Sequence, residues 1–127
     1  MNREILFRGK SGDGWHYGLL TKYGNHKWRV VEEDNNMVTV KTDTIGQYTG
    51  LTDTNDTKIF EGDILQVNYH GDEIGRVCIY YKYAMYLCNT IYGDIDYDTL
   101  GMLNANYQLE VIGNVYDNPE MVSQDTH

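Results

Sequence analysis

Apolar and polar residues alternate one for one through short runs: Leu65-Gln66-Val67-Asn68-Tyr69, Arg76-Val77-Cys78-Ile79-Tyr80-Tyr81 and Leu109-Glu110-Val111-Ile112-Gly113-Asn114-Val115. Successive side chains of an extended strand point to opposite faces, so this two-residue period is that of a half-buried strand and not of a helix. Segments 5–8, 15–22, 27–32 and 37–41 read the same way. Between the runs lie Gly12-Asp13-Gly14, Tyr23-Gly24-Asn25, Asp34-Asn35-Asn36 and His70-Gly71-Asp72, residues that accept positive φ or fold a side chain onto a turn amide. Twelve tyrosines, thirteen glycines and a single proline fit the same picture of short strands and tight turns.

Helix signals are sparse. Asp98 is placed to cap a short turn over Leu100 and Leu103, although Gly101 sits inside it, and Asn118-Pro119-Glu120 predicts one terminal turn with proline in its first position. The tail after Val122 is expected to fray. From Phe60 onward, Glu61-Gly62-Asp63-Ile64-Leu65 sets a tight turn before a strand, and four or five strands follow. The expected architecture is mainly β: a small SH3-like barrel with its terminal turn over residues 58–122, and a β-hairpin layer with a connecting segment over residues 1–57. With 127 residues and no Pro- or Ser-rich linker, one domain is expected.

Three ordered motifs carry a family resemblance. Thr44-Ile45-Gly46-Gln47-Tyr48-Thr49-Gly50-Leu51-Thr52-Asp53, continuing to Ile59-Phe60-Glu61-Gly62-Asp63-Ile64, resembles the central signature of the YopX family of phages and prophages. Arg3 to Arg8 is similar to that family's opening strand, and Leu109 to Glu120 to its closing segment. The loop Thr54-Asn55-Asp56-Thr57 departs from the family pattern, which more often has glycine after the asparagine. The resemblance implies a mainly β fold of SH3-like type and a phage or prophage origin, and no particular activity. Within the signature, Gly46, Gly50 and Gly62 supply backbone freedom, Tyr48 and Phe60 supply apolar anchors, and Gln47, Thr49 and Asp63 are placed to tie off turn amides.

Chemistry is harder to find. Gly9-Lys10-Ser11 fails as a phosphate loop, since the required first glycine is Glu4 and Gly12-Asp13-Gly14 follows where a helix should start, so it is read as a β-turn. Asp94-Ile95-Asp96-Tyr97-Asp98 spaces carboxylates as a calcium loop does, but Thr99 replaces the sixth-position glycine and Ala105 the twelfth-position glutamate. It is read as a solvated acidic edge with Ile95 and Tyr97 turned inward. Ser11 and Ser123 have no scaffold to position them, Cys78 and Cys88 sit in apolar strands as inert thiols, and His16, His26, His70 and His127 show no metal-ligand spacing. Glu61 and Asp63 read as turn carboxylates. No enzyme, cofactor or metal is expected.

The formal charge of −9 disfavours a phosphate backbone as partner. Residues 1–31, however, hold six basic against two acidic side chains, with Trp15, His16, Tyr17, Tyr23, His26 and Trp28 interleaved. A nucleic-acid face of Trp15, Lys27, Trp28 and Arg29 is the alternative reading; the simpler one buries Trp15, Tyr17 and Leu19 as one strand face and leaves the charges wet. Two separated cysteines, charges inside the only apolar stretch of the opening residues and no membrane-length run point to the cytoplasm. The favoured expectation is a non-enzymatic accessory protein that acts through a protein partner or self-association.

Overall fold

The computed structural model describes residues 4–25 and 27–122; Arg3, His26, Ser123, His127 and the tail after Val122 lie outside the described residues. Nine strands and one α-helix are assigned among them, in two compact units, residues 1–50 and 51–127.

The first unit contains β1 (Phe7–Ser11), β2 (Gly14–Tyr23), β3 (Lys27–Val31) and most of β4 (Met37–Thr52). Each strand pairs antiparallel with the next, and β1 also pairs with β4, which closes the four into a barrel. Closure depends on the length of β4. Its start pairs with β3, from Val31↔Met37 to Trp28↔Val40, and the following stretch pairs with β1, from Lys10↔Lys41 to Phe7↔Gln47. Between Arg8 and Lys10 the register shifts, leaving an amide without its ladder acceptor. Thr44 repairs this: its buried hydroxyl accepts from the Lys10 amide at 2.9 Å and donates to the Lys41 carbonyl at 2.6 Å. Gly9 is equally constrained, because a Cβ there would lie 2.6 Å from a Val40 methyl carbon.

Two expectations change here. The ring-closing pairing lies in the first fifty residues, where a hairpin layer was expected, because the signature from Thr44 onward extends β4 and is not a bare connection. The expected buried face of Trp15, Tyr17 and Leu19 is instead the outer one: Tyr17 and Leu19 are exposed and Trp15 is half-buried. Leu20 stands opposite the fully buried Val30, and at Gly18 a Cβ would meet the Val31 carbonyl oxygen at 2.0 Å, so only glycine lets β3 approach on that side. Gly9, Lys10 and Ser11 belong to β1, and the turn begins after them.

The second unit contains β5 (Lys58–Phe60), β6 (Asp63–Tyr69), β7 (Asp72–Lys82), β8 (Met85–Gly93), α1 (Leu100–Asn106), β9 (Gln108–Asn114) and a 3-10 turn at Pro119–Met121. β5 follows β4 in hydrogen-bonded order, while the other four strands form a sheet in the order β8-β7-β6-β9. The strands expected in this region are therefore present, but among the described residues no pairing joins β8 to β9 and the sheet stays open.

Its core is Ile59, Leu65, Val67, Val77, Ile79, Cys88, Leu100, Leu103 and Leu109, each fully buried aliphatic side chain contributing about 1.5–3 kcal/mol of burial free energy. Leu100 and Leu103, one helical turn apart, bring α1 onto the sheet. The helix cap is Thr99 and not Asp98, because the Asp98 carbonyl is already engaged with the Cys88 amide at 2.8 Å, and the Thr99 hydroxyl accepts from the Met102 amide at 3.3 Å. Residues 94–98 form no strand, yet Ile95 and Tyr97 do turn inward onto the core.

Two buried carboxylates hold the signature. Asp63, 1% exposed, accepts from the Phe60 amide at 2.7 Å. Between them Gly62, at φ 93°, takes the tight turn, donating to the Ile79 carbonyl and accepting from the Val115 amide. Asp53 accepts from the amides of Asn55, Thr57 and Val111 at 2.8 to 2.9 Å, bracing the loop against β9, and the Thr54 amide and hydroxyl both donate to the Leu109 carbonyl. At the closing segment Pro119 starts the 3-10 turn, while the Asn118 side chain accepts from the Asn114 amide.

Candidate functional site

The β7–β8 hairpin presents the most unusual backbone of the second unit. Its register runs Ile79↔Cys88, Tyr80↔Leu87, Tyr81↔Tyr86 and Lys82↔Met85, so the loop is Tyr83-Ala84 alone. Both loop residues have positive φ, 55° and 60°. Two-residue hairpins need such angles, and Asn-Gly or Asp-Gly normally supplies them because a Cβ is disfavoured there. The neighbouring β6–β7 hairpin follows that rule in part, with His70-Gly71 at 52° and 88°. Tyr83-Ala84 has no glycine, asparagine or aspartate, and each left-handed L-residue costs about 1–2 kcal/mol.

That backbone displays an aromatic surface. Tyr83 is 74% exposed, and Tyr80, Tyr81 and Met85 are exposed beside it. Tyr81 packs edge-on against Tyr86 at 4.9 Å, and the Lys82 ammonium lies 5.1 Å from the Tyr83 ring centre. Tyr86 in turn rests on the core, which anchors the cluster. The hairpin's outer strand, β8, is also the edge of its sheet. Rigid aromatic side chains on an open edge have the chemistry of a protein interface: large contact area at small entropic cost, plus hydroxyls for hydrogen bonding.

Of the basic and aromatic residues read from the sequence, Trp15 lies on β2 and Lys27, Trp28 and Arg29 lie on β3. Lys27 is exposed and Arg29 stacks 3.7 Å above Tyr23 while donating to the Met37 sulfur at 3.6 Å. Trp28, between them on β3, points to the opposite face by strand alternation. Trp15 lies on β2 with the Arg8 guanidinium 4.6 Å and the Lys10 ammonium 5.9 Å from its ring. Alternation along β3 thus turns Trp28 away from Lys27 and Arg29, while Trp15 is engaged by Arg8 and Lys10.

A polar cluster that sequence reasoning missed lies across the β1–β2 turn. His16 Nδ1 is 2.9 Å from Glu32, and Nε2 is 2.7 Å from Asp13 and 3.1 Å from the Ser11 hydroxyl, which itself donates to Asp13. The spacing of Ser11, Asp13 and His16 around a turn was the available signal; Glu32 arrives only through the β2–β3 pairing. A serine hydroxyl and two carboxylates thus lie within hydrogen-bond distance of one histidine. Hydrogen bonds to Asp13 and then Glu32 push the His16 imidazole up, toward its charged form, and the hydroxyl and His16 hold the Asp13 carboxyl down. The arrangement acts as a polar clasp on the turn.

The thiols are held in their protonated form. Burial pushes Cys88 up to about 12, with Asp98 and Cys78 adding to it, and burial also raises Cys78. Among the described residues no three His, Cys, Asp or Glu side chains are placed to hold one metal ion, and no helix is long and apolar enough to cross a membrane.

Comparison with known proteins adds a family. A family model described as YopX protein matches residues 13–123. No curated protein matches the chain. Among solved structures, the crystal structure of protein EF1440 from Enterococcus faecalis is similar at 24% identity, over 94% of this chain and 75% of that one, with a TM-score of 0.45.

Proposed function

Because the chain belongs to the YopX family, we propose that it is a non-enzymatic accessory protein of phage or prophage origin that works in the bacterial cytoplasm by binding another protein through the Tyr83 hairpin. The supporting observation is the Tyr83-Ala84 turn: a bulky, exposed aromatic held at positive φ where asparagine and glycine would fit without strain. Local strain that a simple substitution would relieve is more often kept for contact than for folding. The raised thiols support the non-enzymatic part of the reading, since the thiolate and not the thiol is the nucleophile.

Replacing Tyr83→Asn together with Ala84→Gly separates contact from folding. The variant should unfold at higher denaturant, with a gain of about 1–2 kcal/mol, and keep the wild-type circular dichroism. It should also lose the protein partner that wild type retains from a host lysate, or lose self-association measured by light scattering after size exclusion. Unchanged retention by the stabilised variant would refute the hairpin as the contact, and a strictly monomeric wild type that retains no protein would refute the function.

A further inference from the structure

The end of the second unit's sheet opposite the tyrosine hairpin carries a cavity of about 380 Å3 lined by Tyr69, Ile74, Asp96, Tyr97, Asn106 and Tyr107. We propose that it binds an organic ammonium group carrying methyl substituents, held by the faces of Tyr69, Tyr97 and Tyr107 and by the Asp96 carboxylate.

Three chain segments converge there. β6 ends at Tyr69, the segment between β8 and α1 supplies Asp96 and Tyr97, and Tyr107 closes α1, its amide donating to the Leu103 carbonyl at 2.9 Å. Tyr97, Tyr107 and Ile74 pack on the core, so two of the three rings are fixed before any ligand arrives. Tyr69 is 51% exposed and forms the outer wall.

Ring geometry selects the ligand's shape. Tyr107 lies 5.8 Å from Tyr69 at 76° and 5.9 Å from Tyr97 at 61°, so the rings meet as walls and not as parallel plates. A planar base is gripped by parallel faces; a tetrahedral cation touches several faces at steep angles.

Electrostatics selects its charge. Asp96 is the sole ionic side chain in the lining, and residues 51–127 hold thirteen acidic against three basic side chains. An anion is repelled at such a wall. Burial first, then Asp96 and Tyr97, pushes the Tyr107 phenol up, so it stays neutral and its ring stays available to a cation at ordinary pH. Methyl groups matter because a bare ammonium is strongly hydrated, whereas a methylated one sheds water readily against aromatic carbon. A smaller cavity of about 220 Å3 shares Tyr69, Asn106 and Tyr107 and adds His70 and Gln108, leaving room for the remainder of the ligand.

The same chemistry could be a free small molecule or a methylated side chain on a peptide, and titration of the full chain distinguishes them. The probes are choline, the amide-capped trimethyllysine residue, and 3,3-dimethyl-1-butanol, which has the shape of choline without its charge. Chemical-shift changes in the protein spectrum should show millimolar binding of at least one cation, weakened about tenfold for the uncharged analogue. Tyr69→Ala and Asp96→Asn should each weaken binding about threefold to tenfold while the thermal midpoint holds; both residues are exposed, and Asp96→Asn tests the site even if Tyr69→Ala perturbs packing. Tighter binding of choline marks a free ligand, and tighter binding of the capped residue marks a partner's side chain. No cation binding at about 50 mM, equal binding of the uncharged analogue, or indifference to Asp96→Asn would overturn the proposal.

Discussion

His16 shows how a single side chain can be decided by neighbours far away in the chain. Its two ring nitrogens meet Asp13, three residues off, and Glu32, sixteen residues off, so the charged imidazole is stabilised by both ends of the β2–β3 hairpin. A histidine whose folded pKa is raised above its ordinary 6.5 adds stability that is complete below that value and lost as pH rises through the folded midpoint. Asp13, held below its ordinary 3.8, adds stability that is complete above that value and lost on further acidification. The clasp is therefore strongest between pH 3.8 and 6.5. The imidazole should titrate in an NMR experiment with a midpoint above 6.5, and His16→Gln should destabilise the protein more at about pH 5.5 than at about pH 8.5. A midpoint at or below the ordinary value would remove this account.

Hairpins are the elements through which the sequence exercises most control, because a two-residue or five-residue connection leaves few registers open. The Asp53–Thr57 connection between β4 and β5 illustrates both the control and its cost. Its carboxylate bracket at Asp53 matches the family signature, but Asp56 has φ 65° at the place where the family more often has glycine. Aspartate tolerates this conformation better than most residues, yet less well than glycine. Asp56→Gly should raise stability by about 0.5–1 kcal/mol in urea unfolding, with the fold unchanged. Loss of stability would mean that the Asp56 side chain makes a compensating contact. The longest element, β4, was the hardest to read: Met37 to Lys41 alternates visibly, but beyond it Thr42-Asp43-Thr44-Ile45-Gly46 has no simple period, since one stretch serves first as a bulge and then as the closing partner of β1.

Across the whole chain the charge of −9 sets the behaviour toward polyanions. Trp28 and the Lys27–Arg29 pair face opposite ways on β3, so they offer no shared stacking face to offset it. Single-stranded DNA or RNA should therefore show no binding even at about 20 mM salt, where counterion release favours association most. Tight, salt-steep binding that Lys27→Ala and Arg29→Ala abolish would favour the nucleic-acid alternative over the protein-contact reading. Neither the tyrosine hairpin nor the tyrosine cavity was legible at this scale, because Tyr80 to Tyr86, and Tyr69, Tyr97 and Tyr107, all lie outside the three motifs. Their tyrosines look like ordinary strand residues until pairing shows which end at a tip and which meet around an opening.

Period-two alternation and the turn residues by themselves determined the mainly β character, the approximate positions of the strands other than β5, β8 and the second half of β4, and the short helix over Leu100 and Leu103, because these follow from side-chain direction along a local backbone. The three ordered motifs determined the family. Which strands close a ring, which face of β2 is buried and which tyrosines share a cavity were decided only in three dimensions. Those choices depend on pairings such as β1 with β4, and on close approaches such as Val31 to Gly18, between residues whose separation along the chain carries no local energetic signal.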